Sequence, residues 1–127
     1  MKIHEFDPVI YPCKLWVTKE LTDELYDTFE MFPDDGETNI PIEFAGAMTF
    51  SVKNKETNDF GFLVAFKSAK RMTVNVIAHE ARHVGDMLFE RIGEDPQHSE
   101  PAAYFTGWVA ECIDKVKRGK AGDLNKK

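Results

Sequence analysis

The apolar positions near the amino end of the chain indicate a strand followed by a helix. Residues 8–17 are rich in β-branched and aromatic side chains, which favour a strand, and Pro12 indicates an edge position or a kink. Thr18 can then cap a helix that runs to about Met31. The apolar residues of this predicted helix recur at helical spacing: Leu21, Leu25, Tyr26 and Phe29.

The middle of the chain has the pattern of a β-hairpin. Residues 32–41 have the Pro, Asp, Gly and Asn content that is typical of a loop. In residues 47–53 apolar side chains alternate with polar or small ones, whereas residues 60–66 are almost entirely apolar. The polar residues 54–59 between these segments predict a turn that joins two antiparallel strands.

The hydrophobic period then changes to that of a long helix over about residues 72–92. Gly93 follows at a position where helices commonly end. The predicted buried stripe of this helix consists of Val74, Ile77, Ala81, Val84 and Leu88. This helix carries the candidate chemistry of the chain.

A final helix is predicted to begin near residues 99–101, where Ser and Pro are favoured. Its predicted buried stripe consists of Phe105, Trp108, Val109, Cys112, Ile113 and Val116. The chain is therefore predicted to be α+β, with a small antiparallel sheet packed on two helices. We expect one domain over residues 1–116 and a polar, flexible tail over residues 117–127.

The composition narrows the classes of partner. The 127 residues suffice for one domain with a buried core. The 22 acidic and 16 basic residues give a formal net charge of -6, which argues against nucleic acid as the main partner. Residues 1–7 lack the apolar core of a signal peptide, and no segment has the pattern of a membrane span. Cys13 and Cys112 form no CxxC motif, so we expect a cytoplasmic protein with reduced thiols and no membrane partner.

The long helix contains the motif His79-Glu80-Ala81-Arg82-His83. Side chains four residues apart project from the same face of a helix, so His79 and His83 can reach one zinc ion at about 2.0–2.1 Å. Glu80 flanks the same site, where its carboxylate can accept a proton from a water that the metal activates. The motif therefore predicts a catalytic Zn2+ cofactor and hydrolytic chemistry.

This HExxH pattern on a helix that follows a hairpin resembles the zincin metallopeptidases. The resemblance covers roughly residues 47–113, and it leaves the predicted amino-terminal strand and helix as an addition. It implies a sheet beside the HExxH helix, with an edge strand that binds a peptide or protein substrate in extended form. Residues 60–66 are the strand that we expect to be this edge.

The third protein ligand of the zinc is left open by the spacing. The metzincin pattern needs a histidine six residues after the second one, and Phe89 occupies that position here. Asp86 is better placed to orient a ligating histidine than to bind the metal. Glu100 can reach the metal if the chain climbs back after the long helix, whereas Glu111 would lie level with His83 in a tight antiparallel helix pair.

The resemblance favours Glu100 over Glu111. Residues 99–105 (SEPAAYF) look like the gluzincin arrangement, in which a glutamate on the helix after HExxH is the third ligand. They look especially like small metallopeptidases encoded by phages and prophages. The resemblance therefore implies zinc held by His79, His83 and Glu100.

Several other residues are candidates for supporting roles. Tyr104 lies one turn after Glu100 and could donate a hydrogen bond to the oxyanion of a tetrahedral intermediate. His98 could take the same role, whereas Arg82 is expected to be a solvated charge. Gly107 predicts a close approach of the final helix to the HExxH helix, because glycine otherwise costs about 1 kcal/mol there. Trp16 and Trp108 are expected to be core residues.

These observations lead to two functional hypotheses. The first is a zinc-dependent hydrolase, a metallopeptidase in which Glu80 is the general base and Tyr104 assists. The second is a binding protein that keeps a zincin scaffold without turnover, such as a phage accessory protein or an inhibitor of a host factor. A third possibility, a structural domain with surface histidines, predicts no bound metal.

Overall fold

A five-stranded mixed sheet forms the centre of the fold. A computed structural model describes residues 2–32, 46–93 and 100–120 of the chain. The strands are β1 (His4–Phe6), β2 (Lys14–Thr18), β3 (Phe29–Phe32), β4 (Ala47–Asn54) and β5 (Phe60–Phe66), in the order β1-β2-β5-β4-β3. Strands β2 and β5 are parallel, and the other neighbouring pairs are antiparallel.

Two long helices follow the sheet along the chain. They are α2 (Val74–Arg91) and α3 (Glu100–Lys117), and the short helix α1 (Leu25–Thr28) precedes β3. The Thr73 side chain caps α2 by accepting a hydrogen bond from the Val76 backbone nitrogen at 3.2 Å. Gly93 adopts a φ of 82° just beyond α2, a conformation that glycine allows without strain. None of the helices in the described residues is long and apolar enough to cross a membrane.

The two faces of the sheet carry separate hydrophobic clusters, because neighbouring residues of a strand point to opposite faces. Leu15, Phe62 and Val64 face the helices α2 and α3. Trp16 and Leu63 face the opposite side, where they pack with α1 and the residues beside it. Strand β5 is apolar along its length since it is the middle strand and is covered on both faces.

The close approach between α2 and α3 occurs at Gly85 rather than at Gly107. A Cβ atom added to Gly85 would collide with the Thr106 hydroxyl, whereas one added to Gly107 would meet nothing within 4 Å. The prediction that Gly107 packs closely against the HExxH helix is therefore wrong. The glycine that permits the approach lies on α2 itself.

The α+β class, the β4–β5 hairpin and both long helices are confirmed. The predicted helix over residues 18–31 is wrong beyond one turn, because Phe29–Phe32 pairs with β4 as a strand. Residues 21, 25 and 29 are buried at the predicted spacing, but a turn and a strand place them there. The predicted strand over residues 8–17 begins only at Lys14, after a segment in which Val9 has a φ of 70°.

Two expectations about the sheet also change. Strand β5 pairs with both β2 and β4, so the prediction that it is the substrate-binding edge is wrong. The amino-terminal strand is an integral part of the sheet rather than an addition, since β2 is the parallel neighbour of β5. The predicted loop after Phe32 and the tail after Lys120 lie outside the described residues.

Candidate metal and catalytic site

His79 and His83 lie on the exposed side of α2, one turn apart. Their Nε2 atoms are 3.1 Å apart, and their ring planes stand at 86° to each other. Two nitrogens bound tetrahedrally to one zinc at about 2.0–2.1 Å would be separated by about 3.3 Å. Imidazole nitrogens are also among the ligands that zinc prefers. The donor type and the spacing of this pair therefore fit a common metal ion.

Glu80 points to a different side of α2 and is buried, with 6% of its surface exposed. The Thr49 hydroxyl donates a hydrogen bond to its Oε1 at 2.5 Å. Because Met48 and Phe50 pack on the opposite face of β4, Thr49 faces α2. A carboxylate buried without such a donor would be costly, so this bond fixes Glu80 between the helix and the sheet.

A pocket of about 300 Å³ brings part of the motif together. Its walls come from the start of β4, from Arg71 and from the first turns of α2. Its lining residues are Gly46, Ala47, Arg71, Asn75, Val76, His79 and Glu80. The exposed imidazole of His79 and the buried carboxylate of Glu80 thus open onto the same space.

The structure does not bring Glu100 to the two histidines. In residues 2–32, 46–93 and 100–120, no group of three His, Cys, Asp or Glu side chains is placed to hold a metal ion. Glu100 is exposed in the first turn of α3.

The packing of α3 on α2 gives the reason. Gly85 meets Thr106, and Phe89 meets Phe105, so the two helices run in opposite senses across this contact. Glu100 lies roughly 9 Å along α3 from Thr106, on the side of the carboxyl end of α2. His83 lies roughly 3 Å from Gly85 in the other direction along α2. Glu100 is therefore roughly 12 Å from His83 along the helix pair, towards the carboxyl end of α2.

Glu111 is also separated from the histidines. Because the two helices are antiparallel, Glu111 on α3 lies level with the part of α2 that precedes Gly85, where the histidines are. However, Glu111 is exposed, whereas α3 packs through the stripe of Phe105, Val109 and Cys112. The position along the axis is suitable, but the side chain is on the outer face of α3.

Arg82, Asp86 and His98 are three other residues of the sequence that are candidates for this site. Arg82 donates a hydrogen bond from Nε to Asp86 at 2.8 Å and is largely exposed, as expected for a solvated charge. Asp86 therefore binds Arg82, and no hydrogen bond in the structure joins it to His83. His98 lies outside the described residues.

Tyr104 is not a neighbour of the motif. It is 76% exposed and lines an apolar groove of about 360 Å³ with Tyr11 and Trp108, away from the pocket that His79 lines. The predicted role of Tyr104 in binding an oxyanion near the histidines is not supported by this position. Trp16 is a fully buried core residue, as predicted, whereas Trp108 is partly buried and stacks on Phe105.

Both cysteines are free and buried, which leaves them as structural thiols. Burial raises the pKa of Cys13 to about 11 and, with a smaller contribution from the charge of Asp7, keeps its thiol protonated. Burial also raises the pKa of Cys112 to about 12. The thiolate, which is the reactive form of cysteine, is therefore disfavoured at both positions.

Two residues of the site were missed in the sequence. Thr49 could have been found, since the alternation of Met48, Phe50 and Val52 on β4 assigns residue 49 to the opposite face. Arg71 carried no comparable signal, because a basic residue just before a helix is an ordinary surface feature. Its presence in the pocket depends on how the short 3-10 helix Ala69–Arg71 leads into α2.

The chain matches no protein-family model, no curated protein sequence and no solved structure. Evidence for its function therefore comes from the chemistry of His79, Glu80 and His83 and from the pocket beside them.

Proposed function

We propose that the protein binds a zinc ion through His79 and His83 and hydrolyses peptide bonds, with Glu80 as the general base. The observation that carries this proposal is the 3.1 Å separation of the two Nε2 atoms beside a pocket that Glu80 shares with His79. The resemblance of the HExxH helix to zincin metallopeptidases supports a peptide or protein as the substrate. The net charge of -6 favours such a substrate over nucleic acid.

The proposed mechanism divides the work between the motif residues. A bound zinc ion would supply Lewis acidity, which polarises the substrate carbonyl and makes water more acidic. Thr49 engages Oε1 of Glu80 and leaves Oε2 to accept a proton from the attacking water. The hydroxide that the water leaves behind then bonds to the carbonyl carbon of the substrate. The C–N bond breaks, and Glu80 returns the proton to the leaving amine.

The proposal is tested by comparing wild type with Glu80→Gln and Arg82→Gln. We expect wild type and both variants to retain about one equivalent of zinc, because neither side chain is a ligand. Cleavage of a peptide library should be lost in Glu80→Gln and retained in Arg82→Gln, whose side chain lies outside the pocket. Zinc well below one equivalent in wild type would refute the metal site, and equal cleavage by Glu80→Gln would refute its role as base.

The third ligand is tested separately with Glu100→Gln and Glu111→Gln. The resemblance to gluzincins implies Glu100, whereas the packing of α3 on α2 places this residue far along the helix pair from His83. Loss of a true ligand should weaken zinc binding by more than about tenfold. Even residues that only hydrogen-bond to a metal ligand lower the metal affinity by about 10–100-fold when they are replaced.

The second candidate function is a binding protein that keeps the zincin scaffold without turnover, as a phage accessory protein or an inhibitor of a host factor. The burial of Glu80 and its bond to Thr49 favour this alternative, because a carboxylate held in this way can serve packing alone. A stoichiometric partner together with no hydrolysis under any divalent metal would support it. We also propose a cytoplasmic location, which the two free thiols favour.

A further inference from the structure

Arg71 differs from Arg82, Arg91 and Arg118 in that no side chain of the described residues pairs with it. Arg82 pairs with Asp86, Arg118 pairs with Asp114, and Arg91 lies 4.0 Å from the centre of the Phe60 ring. Within residues 2–32, 46–93 and 100–120, no side-chain hydrogen bond, ion pair or ring contact engages the Arg71 guanidinium. Arg71 is also the arginine that lines the pocket of His79 and Glu80.

The Arg71 side chain lies against Gly46, just before the start of β4. A Cβ atom added to Gly46 would lie 3.2 Å from Nη1 of Arg71 and 3.5 Å from its Cδ. The absence of a side chain at residue 46 therefore lets the guanidinium lie close to the backbone at the rim of the pocket. Arg71 itself is exposed, so its guanidinium lies beside the pocket and is open to a ligand from solvent.

A second polar group stands on the α2 wall of this pocket. Asn75 precedes His79 by four residues, so the two side chains share one face of the helix. The pocket thus presents a guanidinium and an amide as hydrogen-bond donors, with Ala47 and Val76 as apolar wall.

The carboxylate within the pocket does not neutralise Arg71. Glu80 accepts its hydrogen bond from Thr49, and no ion pair joins it to Arg71 in the described residues. A guanidinium has five donors in a planar fork that matches a carboxylate in bidentate geometry. Since no ion pair engages the Arg71 guanidinium within the described residues, it is suited to a carboxylate that a ligand supplies.

We propose that Arg71, assisted by Asn75, determines specificity by binding a carboxylate of the peptide substrate. This inference rests on the proposed function in assigning the ligand as a substrate. The carboxylate can come from the carboxyl terminus of the peptide or from an aspartate or glutamate side chain. The two sources present the same group to Arg71 and are distinguished by the probes used.

The test measures peptide binding to the full chain in the Glu80→Gln background, which prevents turnover. The probes are acetyl-Ala-Ala with a free carboxylate, the same peptide as its amide, and the amidated peptides acetyl-Ala-Asp-Ala and acetyl-Ala-Asn-Ala. Each is titrated with and without one equivalent of zinc, and the Nε–Hε resonance of Arg71 is followed by NMR. We expect one carboxylate probe to bind about 10–100-fold more tightly than its neutral counterpart and to shift this resonance.

Matched substitutions separate the contact of Arg71 from a general effect of charge. Arg71→Gln should abolish the preference for the carboxylate, and Arg71→Lys should retain part of it because the charge remains without the fork. Lys70→Gln makes the same change in charge on the neighbouring exposed residue and should leave the preference intact. The amide spectrum of each variant verifies that it is folded.

The outcomes test the binding of a carboxylate by Arg71 separately from the proposed zinc-dependent hydrolysis. Equal binding of charged and neutral probes, or equal losses in Arg71→Gln and Lys70→Gln, would overturn the role of Arg71 even if wild type hydrolyses peptides. A preference for a carboxylate that Arg71→Gln removes would support it, and it can be measured in protein without zinc. Failure of zinc binding or of hydrolysis would then count against the proposed function alone.

Discussion

At the scale of single residues, helical geometry gives adjacent side chains of the motif different surroundings. His79 and His83 are exposed, whereas Glu80 turns towards β4 and is buried. Successive helical residues are about 100° apart around the axis, so one HExxH segment presents two imidazoles to solvent and a carboxylate to the sheet. The motif is evident in the sequence, and the alternation along β4 assigns Thr49 to the face opposite Met48 and Phe50. Its hydrogen bond to Glu80 depends on how β4 packs on α2, which no local pattern specifies.

Replacing Thr49 by valine should destabilise the protein. The substitution keeps the shape of the side chain and removes the donor to a buried carboxylate, which should lower the free energy of unfolding by about 1–3 kcal/mol. Urea unfolding followed by circular dichroism measures this change. Thr49→Ser keeps the hydroxyl and should be closer to wild type. If Thr49→Val were as stable as Thr49→Ser, the hydroxyl would not be stabilising Glu80.

The buried thiols should be unreactive in the native protein. Their raised pKa values of about 11 for Cys13 and about 12 for Cys112 keep the thiolate fraction small at pH 8. We expect iodoacetamide to label both residues rapidly in urea and only very slowly without it. Rapid labelling of the native chain would show that the thiols are accessible.

The same pKa shifts predict a loss of stability at alkaline pH. An exposed thiol in the unfolded chain ionises near pH 8.5, whereas the native thiols ionise near pH 11 to 12. Their contribution to stability is therefore complete below about pH 8.5 and decreases as the pH rises towards 11. Replacement of both cysteines by alanine should make the unfolding free energy less dependent on pH across this window.

At the scale of elements, long periodic segments were predicted well and short ones were not. The spacing of Ile77, Ala81, Val84 and Leu88 predicted α2 because all four pack in the core cluster between helices and sheet. Val74, the fifth residue of the predicted stripe, is 82% exposed, so its predicted burial is wrong. Residues 21–29 had a similar spacing but form only one helical turn before β3. Pairing of β3 with β4 decided this segment, and such long-range pairing cannot be read from local spacing.

The contact between α2 and α3 implies that substitution by alanine has opposite effects on stability at two helical glycines. Gly107→Ala should stabilise the protein by up to about 1 kcal/mol, because alanine favours a helix and the space there is open. Gly85→Ala should be destabilising relative to Gly107→Ala, since its methyl group would collide with the Thr106 hydroxyl. Thermal unfolding of both variants measures the difference.

A second substitution tests the cause of the effect at Gly85. Adding Thr106→Ala to Gly85→Ala should recover much of the lost stability, because it removes the colliding group. Equal stability of Gly85→Ala and Gly107→Ala would contradict the packing register, and with it the separation of Glu100 from the histidines.

At the scale of the whole molecule, the fold places the candidate site at one end of the β4–α2 layer. The start of β4, the short helix that ends at Arg71 and the first turns of α2 form the pocket. The sequence predicted the two histidines and the carboxylate of this site, because their spacing on one helix is local information. The pocket walls could not be predicted, since they depend on how the chain returns to the sheet.

The parallel pairing of β2 with β5 illustrates the same limit for the fold. The two strands are separated by about forty residues in sequence, and their register joins Leu15 to Phe62. No local pattern specifies such a pairing, although it makes β5 the middle strand. As a result, the sequence predicted the correct class of fold but the wrong position for the supposed edge strand.

A zinc titration of the metal-free protein by calorimetry measures whether His79 and His83 together bind zinc. We expect one site in wild type, with an affinity that is unchanged in Arg82→Gln and weakened by more than about 100-fold in His79→Ala and in His83→Ala. We also expect zinc to raise the melting temperature of wild type, since a ligand that binds the native state stabilises it. No zinc binding by wild type, or equal affinity in the histidine variants, would show that His79 and His83 do not form a zinc site.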